Sequence, residues 1–425
     1  MTGQVTEVEH AGPVEGLVGR ILRGEIFVLR GGLQRLGLFD ALVQASLEGI
    51  GRAAGDDIAR KVEQGGFERV HEWVEPADIP ALTDAVYRIM VPLAHGCIRR
   101  FASIFFPDSG SYYYERNPNV RFHIPYDLAE AHRQQFDRFA RQRGEGKISA
   151  HGPHRDAWVD CPSNAINVWI AMGPVQPGNG LSIFAKEYHN SFAFKDGYLS
   201  SRAALHRPLN FSLQPGDILV FHGNHLHASE LNQTGATRYV ISYRITFGKP
   251  HYAHGHYHHY LHAGLAESRW SWLAGLPQNL QRSFFSYQIR RLLNKISVRR
   301  GMSGADNPAA ATPYKNESKT EDLPGDDDSI ALAGFPVGAI RAISKGACLA
   351  RLGENEFAAV SRRCPHRGGD LAEGWLADGK LVCPLHNLAF DPQTGASPCT
   401  SLKPLRRFAW EVRGDRVFAG PQPLS

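Results

Sequence analysis

Apolar positions in the first hundred residues recur at helical spacing. Leu17, Ile21, Ile26, Leu29 and Leu33 follow it, and Leu82, Val86, Met90 and Leu93 repeat it. Residues 14–105 therefore read as mostly helical. From about Tyr112 the rhythm shortens. Runs rich in β-branched and aromatic residues alternate with Gly, Pro, Asn and Asp: Asn167 to Ile170, Leu181 to Phe184, Asp217 to Phe221 and Arg238 to Tyr243. Short strands at this density predict a β-sandwich or barrel. A second helical stretch follows at 276–300, with Phe284, Phe285, Ile289, Leu292, Leu293 and Ile296 apolar and Arg282, Arg290, Arg291, Lys295, Arg299 and Arg300 between them.

Residues 301–328 have no apolar periodicity and include the acidic run Asp326-Asp327-Asp328. Such a segment cannot offset its ordering entropy by burial, so it reads as a flexible linker. Beyond it, strands resume at Ile330–Leu332, Cys348–Leu352, Glu356–Val360, Phe408–Val412 and Arg416–Ala419. The expected organisation is a helical part at 1–110, a β core at 111–265, a basic helical extension at 266–300, an acidic linker at 301–328 and a small all-β domain at 329–425. The fold class is mainly β with helices (α+β).

At 425 residues, 43% hydrophobic and 21% charged, the chain has ordinary globular composition and length for two or three cores. Its net charge of +5 is scattered, which disfavours nucleic acid as a partner. Apolar runs such as Ile166 to Met172 are too short to span a bilayer. The N-terminus lacks a basic region followed by an apolar one, so a cytoplasmic protein is expected. Six cysteines in this length do not make a disulfide scaffold.

Two loops near the C-terminus pair sulfur with nitrogen. Cys364-Pro365-His366 is C-x-H, and Cys383-Pro384-Leu385-His386 is C-x-x-H, with sixteen residues between His366 and Cys383. One thiolate and one imidazole from each loop can hold a 2Fe–2S cluster with both sulfurs on one iron and both nitrogens on the other. Zinc accepts the same four residues. The surroundings resemble the Rieske family: Phe335-Pro336-Val337-Gly338 before the first loop, Gly368-Gly369 after His366, Leu381-Val382 entering the second loop, and Phe390-Asp391-x-x-Thr394-Gly395 after it. That resemblance implies the cluster. Rieske proteins of respiratory complexes carry an extra cysteine in each loop, joined as a disulfide; the matching positions here are Gly369 and Leu385. The domain thus resembles Rieske ferredoxins and the Rieske domains of oxygenases. Cys348 and Cys399 are left over as small buried hydrophobes.

A second candidate centre lies in the β core. His154-Arg155-Asp156 places an imidazole and a carboxylate at i and i+2, on one side of an extended strand. A third donor is expected within Gly216 to His227. Two histidines and one carboxylate on one face of an iron leave open positions for chemistry. Around this motif the chain resembles the phytanoyl-CoA dioxygenase family of Fe(II)/2-oxoglutarate oxygenases. The matching elements are His154 and Asp156, then Asn167 to Met172, Asn179 to His189, Gly216-Asp217, and Phe221-His222 with His227-x-Ser229 and Asn232. Arg238 follows eleven residues after His227.

The resemblance implies a double-stranded β-helix, iron held by His154, Asp156 and His227, and Arg238 on the far carboxylate of 2-oxoglutarate. A guanidinium matches a carboxylate bidentately. Ser242 shares its strand face and could donate to the same group; Trp169 and Asn167 are further cosubstrate contacts. His222 and His225 read as structural. Tyr112, Tyr113, Tyr114, Arg121, His123 and Tyr126 are candidates to line the substrate pocket. Six histidines between His251 and His262 suggest a packed loop or a docking surface for the Rieske domain.

The resulting expectation is a non-haem dioxygenase using Fe(II), 2-oxoglutarate and O2 on a small molecule, by hydroxylation, desaturation or ring closure. In the usual cycle 2-oxoglutarate supplies the two electrons, so the Rieske domain poses a puzzle. It would return oxidised iron to the ferrous state, or drive oxygen activation without 2-oxoglutarate. A third reading is a redox protein that binds a ligand without converting it. The chain has no dinucleotide fingerprint, so a flavin-dependent reductase or ferredoxin is the expected electron donor. The substrate and the oligomeric state stay open, as does whether electrons move within or between chains.

Overall fold

The computed structural model describes residues 3–9, 12–107, 112–134, 151–159, 161–195, 197–199, 205–251, 260–263, 329–343, 346–366 and 368–423. The basic helix at 276–300, the linker at 301–328 and most of the histidine-rich stretch at 251–262 lie outside the described residues.

Strands β1 (Val5–Val8) and β2 (Ile26–Leu29) flank helix α1 (Leu17–Leu22), and helices α2 (Gly32–Arg35), α3 (Phe39–Ala54), α4 (Asp56–Gly65) and α5 (Ile79–Phe105) follow. Next come β3 (Tyr112–Glu115), β4 (Asn119–His123), α6 (Tyr126–Ala131), β5 (Ile166–Ala171) and β6 (Leu181–Phe184). A hairpin of β7 (Phe194–Lys195) and β8 (Tyr198–Leu199) leads to β9 (Leu209–Asn210), β10 (Ile218–His222), β11 (Leu226–Ser229), β12 (Arg238–Phe247) and β13 (Tyr260–His262). These form an eight-stranded sheet in the order β1-β2-β10-β5-β12-β3-β13, with β4 also on β12, and a three-stranded sheet β11-β6-β9.

Both faces of the large sheet are covered, which is why its strands read as nearly continuous apolar runs. Phe27, Leu29, Val168, Ile170, Val220, Tyr239, Ile241 and Tyr243 pack with α3 and α5 in one core. Ile26, Val28, Trp169, Ala171, Leu219, Phe221 and Val240 face Leu181 and Ile183 of the small sheet in another. Strand parity alone assigns each residue to the helices or to the space between the sheets, where the candidate centre lies.

The helical reading of the N-terminal segment is corrected at Ile26–Leu29. Ile26 and Leu29 do keep helical spacing, but all four residues of β2 are buried, between β1 and β10. Gly24 (φ 91°) and Gly31 (φ 57°) isolate this β-branched and aromatic run from the helices on either side. Leu93 also departs from its expected place: it is 42% exposed on α5.

The C-terminal domain has a six-stranded sheet built from β14 (Ser329–Ala331), β15 (Ile340–Ala342), β16 (Ala347–Arg351), β17 (Phe357–Ser361), β21 (Arg407–Arg413) and β22 (Arg416–Pro423). A three-stranded sheet of β18 (Trp375–Ala377), β19 (Lys380–Val382) and β20 (Ala389–Phe390) carries Cys383 and His386 between β19 and β20, while Cys364 and His366 follow β17. Cys348 and Cys399 are buried in its core, as expected, and burial pushes both thiols up to about 12. Among the described residues no helix is long and apolar enough to cross a membrane.

Two predictions concern this scaffold. Helices α3 and α5 touch at Gly49, where a Cβ would lie 2.6 Å from the Val86 Cα. Gly49→Val should destabilise the protein by about 1–3 kcal/mol in urea unfolding, since backbone rather than a movable side chain must yield. The second concerns acid. Burial holds the imidazoles of His71, His95 and His123 below the ordinary 6.5. In the unfolded chain they take up protons as pH drops below 6.5, while the native state resists. Stability should therefore fall with pH below about 6.5; the urea midpoint, measured from pH 7.5 down to 5, is expected to decrease steadily.

Candidate metal centres

The first centre sits between the two sheets, where His154 and His227 form a single antiparallel bridge. Each backbone N–H donates to the other's carbonyl at 2.9 Å. The two imidazoles are consequently neighbours, with ring centroids 4.4 Å apart. Arg155 is extended, and Asp156 opens a short 3-10 turn rather than continuing a strand. The i and i+2 argument survives because only the intervening residue has to be extended. Donor atoms of His154, Asp156 and His227 all lie within 4.8 Å of one another, and all three residues are buried.

Backbone carbonyls orient both rings. The Nδ1 of His154 faces the Gly152 carbonyl at 2.8 Å, and the Nδ1 of His227 faces the His225 carbonyl at 2.9 Å. With Nδ1–H donated, each Nε2 is left as the free lone pair that a metal requires. Burial, with His227 as neighbour, lowers the His154 imidazole to about 3; burial also lowers His227. Both are neutral at physiological pH.

Asp156 is held from both oxygens: Asn167 Nδ2 donates to Oδ2 at 2.6 Å, and Arg244 Nη2 donates to Oδ1 at 3.0 Å. Burial alone would raise this carboxyl, but Arg244 and then His227 outweigh it and hold it well below the usual range. Arg244 also reaches Glu115, at 3.1 Å, whose carboxyl burial pushes up. One guanidinium serving two carboxylates keeps the charge on Asp156.

Asn167 was expected on the cosubstrate; its amide is committed to Asp156 instead. Arg244 and Glu115 were missed. Arg244 stands six residues after Arg238, and an even offset along β12 puts it on the same face, so parity was the available signal.

Arg238 is 3% exposed. Its Nη1 donates to the carbonyls of Asn179 (2.7 Å) and Gly180 (2.6 Å), its Nε has no partner, and no carboxylate is within ion-pair reach among the described residues. Burial, then the nearby Arg121, lowers it to about 9. A buried cation satisfied only by carbonyls, with an orphaned N–H, fits an anion. Its guanidinium carbon lies 5.7 Å from the Trp169 ring centre. Cross-strand register puts Trp169 opposite Ser242, Asn119 opposite Ser242 and His123 opposite Arg238, all on the inner face. Arg121, on that face too, makes no hydrogen bond or ion pair among the described residues, and burial lowers it to about 10.

The other candidates separate cleanly. His222 spends both nitrogens, on the Tyr188 hydroxyl at 2.6 Å and on the Ser163 carbonyl at 3.0 Å. His225 is fully buried against Tyr188, with ring centroids at 4.6 Å. Tyr114 belongs to the helical core, whereas Tyr126 leaves the pocket altogether: its ring meets the imidazole of His366 edge-on at 5.3 Å.

At the second candidate centre Cys364 meets Cys383, and His366 meets His386. The Cys364 thiol hydrogen-bonds Cys383 and, with burial, pushes that thiol far up. Two buried thiols in contact ionise together only beside a strong positive charge, which iron supplies. The imidazoles of His366 and His386 are adjacent, with centroids at 4.8 Å. A Cβ on Gly369 would lie 2.8 Å from the Cys383 sulfur and 3.1 Å from Leu385, so the loop must come this close without a side chain. Gly369 and Leu385, the two positions matched to the extra cysteines of respiratory-complex Rieske proteins, thus face each other. Asp370 braces the first loop through a buried pairing with Arg362 at 2.8 Å.

Comparison with known proteins follows the same division. The family model for phytanoyl-CoA dioxygenase (PhyH) matches residues 116–240, and that for the Rieske [2Fe-2S] domain matches residues 319–408. A vanillate O-demethylase oxygenase subunit from Pseudomonas sp. is 36% identical over 77 residues, covering 15% of this chain and 23% of the relative. A 3-phenylpropionate/cinnamic acid dioxygenase ferredoxin subunit from Shigella boydii is 37% identical over 65 residues, covering 15% of this chain and 61% of the relative. The chain therefore spans less than two thirds of the length of these curated relatives. A solved non-heme alpha ketoglutarate dependent carbocyclase from nogalamycin biosynthesis aligns at 13% identity and TM-score 0.31, covering 56% of this chain and 87% of its own. This protein joins a phytanoyl-CoA dioxygenase domain to a Rieske [2Fe-2S] domain in one polypeptide.

Proposed function

We propose that the chain is a non-haem iron oxygenase that takes 2-oxoglutarate as cosubstrate, oxidises a small molecule, and receives electrons through its Rieske domain. The observation that carries this reading is the space between the sheets, which holds the His154, Asp156 and His227 donor set and, on the inner face of β12, the buried Arg238 with no carboxylate partner among the described residues. Bound iron and 2-oxoglutarate supply an oxidant strong enough to break an unactivated C–H bond.

The chain's own residues do the positioning. Carbonyls of Gly152 and His225 hold the imidazoles so that each Nε2 points at the shared site. Asn167 and Arg244 fix the Asp156 carboxylate and keep it ionised. Arg238 receives the distal carboxylate of the cosubstrate, Trp169 flanks it, and Ser242 offers a hydroxyl on the same face. Three protein donors leave positions for cosubstrate and O2. Arg121, half-buried and without a hydrogen bond or ion pair among the described residues, suits a second carboxylate on that face, from substrate or cosubstrate. Cys364, His366, Cys383 and His386 hold the 2Fe–2S cluster, and the units of function are the β core at 111–265 and the Rieske domain at 329–425. The reductase or ferredoxin that loads the cluster is a separate protein.

A second reading, in which Rieske electrons drive turnover without 2-oxoglutarate, is favoured by one observation: the cluster loops are packed onto the oxygenase domain. Turnover with 2-oxoglutarate and no reductase separates the two. Succinate stoichiometric with product supports the first; complete dependence on a reductase and reduced nicotinamide supports the second.

Two substitutions test the assignments. Arg238→Met removes the buried cation assigned to the distal carboxylate of the cosubstrate, a loss of about 3 kcal/mol or roughly 100-fold in 2-oxoglutarate affinity. Iron content should be unchanged, and titration of the ferrous protein with 2-oxoglutarate measures the effect. Gly369→Ala forces a methyl into the Cys383 sulfur. The expected result is loss of the cluster's visible absorbance and paramagnetic signal, while far-ultraviolet circular dichroism and mononuclear iron are retained.

A further inference from the structure

The Rieske domain is not a free appendage in this structure. Its cluster-bearing end is seated on the oxygenase domain, and the seat is built from polar contacts of several kinds. Asp127 of α6 accepts hydrogen bonds from the backbone N–H and hydroxyl of both Thr400 and Ser401. Gln233 donates to the Asn387 carbonyl at 2.7 Å and accepts from the Ala389 N–H at 2.8 Å. Asn387, held in the left-handed region at φ 53°, turns its amide onto Ser182 and the buried Glu230. Apolar contacts complete the joint: Tyr126 and Leu231 lie in the same core as Cys364, Cys383 and Leu388, and Trp375 packs against Phe184.

These contacts bring one particular residue to the iron site. His386 is 4% exposed. A Cβ built on Gly152 would lie 3.6 Å from His386 Nε2, so the imidazole faces Gly152 across the space that a methyl group there would fill. The carbonyl of that same glycine holds the Nδ1 of His154 at 2.8 Å. On its other side, the His386 carbonyl accepts the Leu231 N–H at 3.0 Å, four residues along the chain from His227. The two centres therefore approach each other through Gly152, with His386 across the room of one methyl group on one side and the hydrogen bond to His154 on the other.

We propose that electrons pass from the Rieske cluster to the mononuclear iron within a single chain, through the edge of His386, the Gly152 peptide and His154, with the Asp127, Gln233 and Glu230 contacts holding the path closed. This rests on the two metal assignments above. The step is a single-electron transfer: the reduced cluster loses one electron and returns to its oxidised form, and ferric iron becomes ferrous. No bond forms and no proton moves. The electron that reloads the cluster comes from an external one-electron donor of the flavoprotein or ferredoxin class. Glu230 adds a consequence: it also accepts the N–H groups of Gly178 and Gly180, at 2.7 and 2.9 Å, in the loop whose carbonyls hold Arg238. The docked domain thus supports the cosubstrate arginine as well as the electron path.

The test uses the full chain with both centres loaded and oxidised, without oxygen or substrate. A photoreduced flavin delivers less than one electron per chain, and the transient bleaching of the cluster is followed as ferric iron is reduced. The expected recovery is first-order with a rate constant independent of protein concentration; a rate rising in proportion to concentration would overturn the proposal in favour of transfer between chains. The double variant Asp127→Ala, Gln233→Ala, which removes docking contacts without altering a metal donor, should slow recovery at least tenfold with cluster spectrum and iron content intact. An unchanged rate in that variant removes the docking role. Mixing a Cys383→Ala chain with an Asp156→Ala chain should give no ferric reduction, because the working centres then sit on different chains. If the loaded protein lacks the cluster spectrum or the ferric signal at the outset, it is the metal assignment that fails, and the two failures are told apart before any rate is measured.

Discussion

A single antiparallel bridge, in which His154 and His227 exchange backbone hydrogen bonds, is the constraint from which the rest of the chemistry follows. It ties the segment before β5 to β11, two stretches seventy-three residues apart in sequence. With that register set, the imidazoles stand side by side, and Asp156 is delivered beside them by one extended residue. Nothing further is needed to create a three-donor face, but much is needed to keep it in a usable protonation state. Carbonyls on both Nδ1 atoms and burial of both rings do so for the histidines, and Arg244 does so for the carboxylate.

The pocket is an uneven distribution of charge in a space with little water. Arg244 is shared by Asp156 and Glu115, so that region is nearly balanced before a metal enters. Arg238 and Arg121 are not balanced, and burial lowers both. Desolvated cations without counter-ions are tolerated where a ligand anion completes them. The same logic applies to the second centre, where two buried thiols in contact wait for positive charge. Each site is electrostatically incomplete in the sense that its own ligand would correct.

Docking of the Rieske domain uses the surface that surrounds the iron site rather than a remote one. Residues 227–233 illustrate the economy. His227 is a metal donor, Glu230 braces the Arg238 loop and receives Asn387, Leu231 binds the His386 backbone, and Gln233 grips the strand beyond it. One short segment thereby couples the iron, the cosubstrate arginine and the cluster loop, and a displacement of any one would be felt by the others.

Local motifs were legible without coordinates because their chemistry depends on spacing along the chain. The arginine eleven residues after His227 was legible only through the family resemblance, whereas C-x-H, C-x-x-H and H-x-D each put donors close together along the backbone. The β strands were legible for the same reason, while β2 was misread because a strand buried on both faces has no period and its ends coincided with a helical one. Asn167, Arg244 and Tyr126 received no role or the wrong one. Their roles depend on partners in other strands and in another domain, and sequence distance says nothing about such partners. Only the tertiary structure could decide that the C-terminal domain is seated with His386 facing Gly152, since that approach joins residues 234 positions apart and is held by hydrogen bonds that no composition or periodicity encodes.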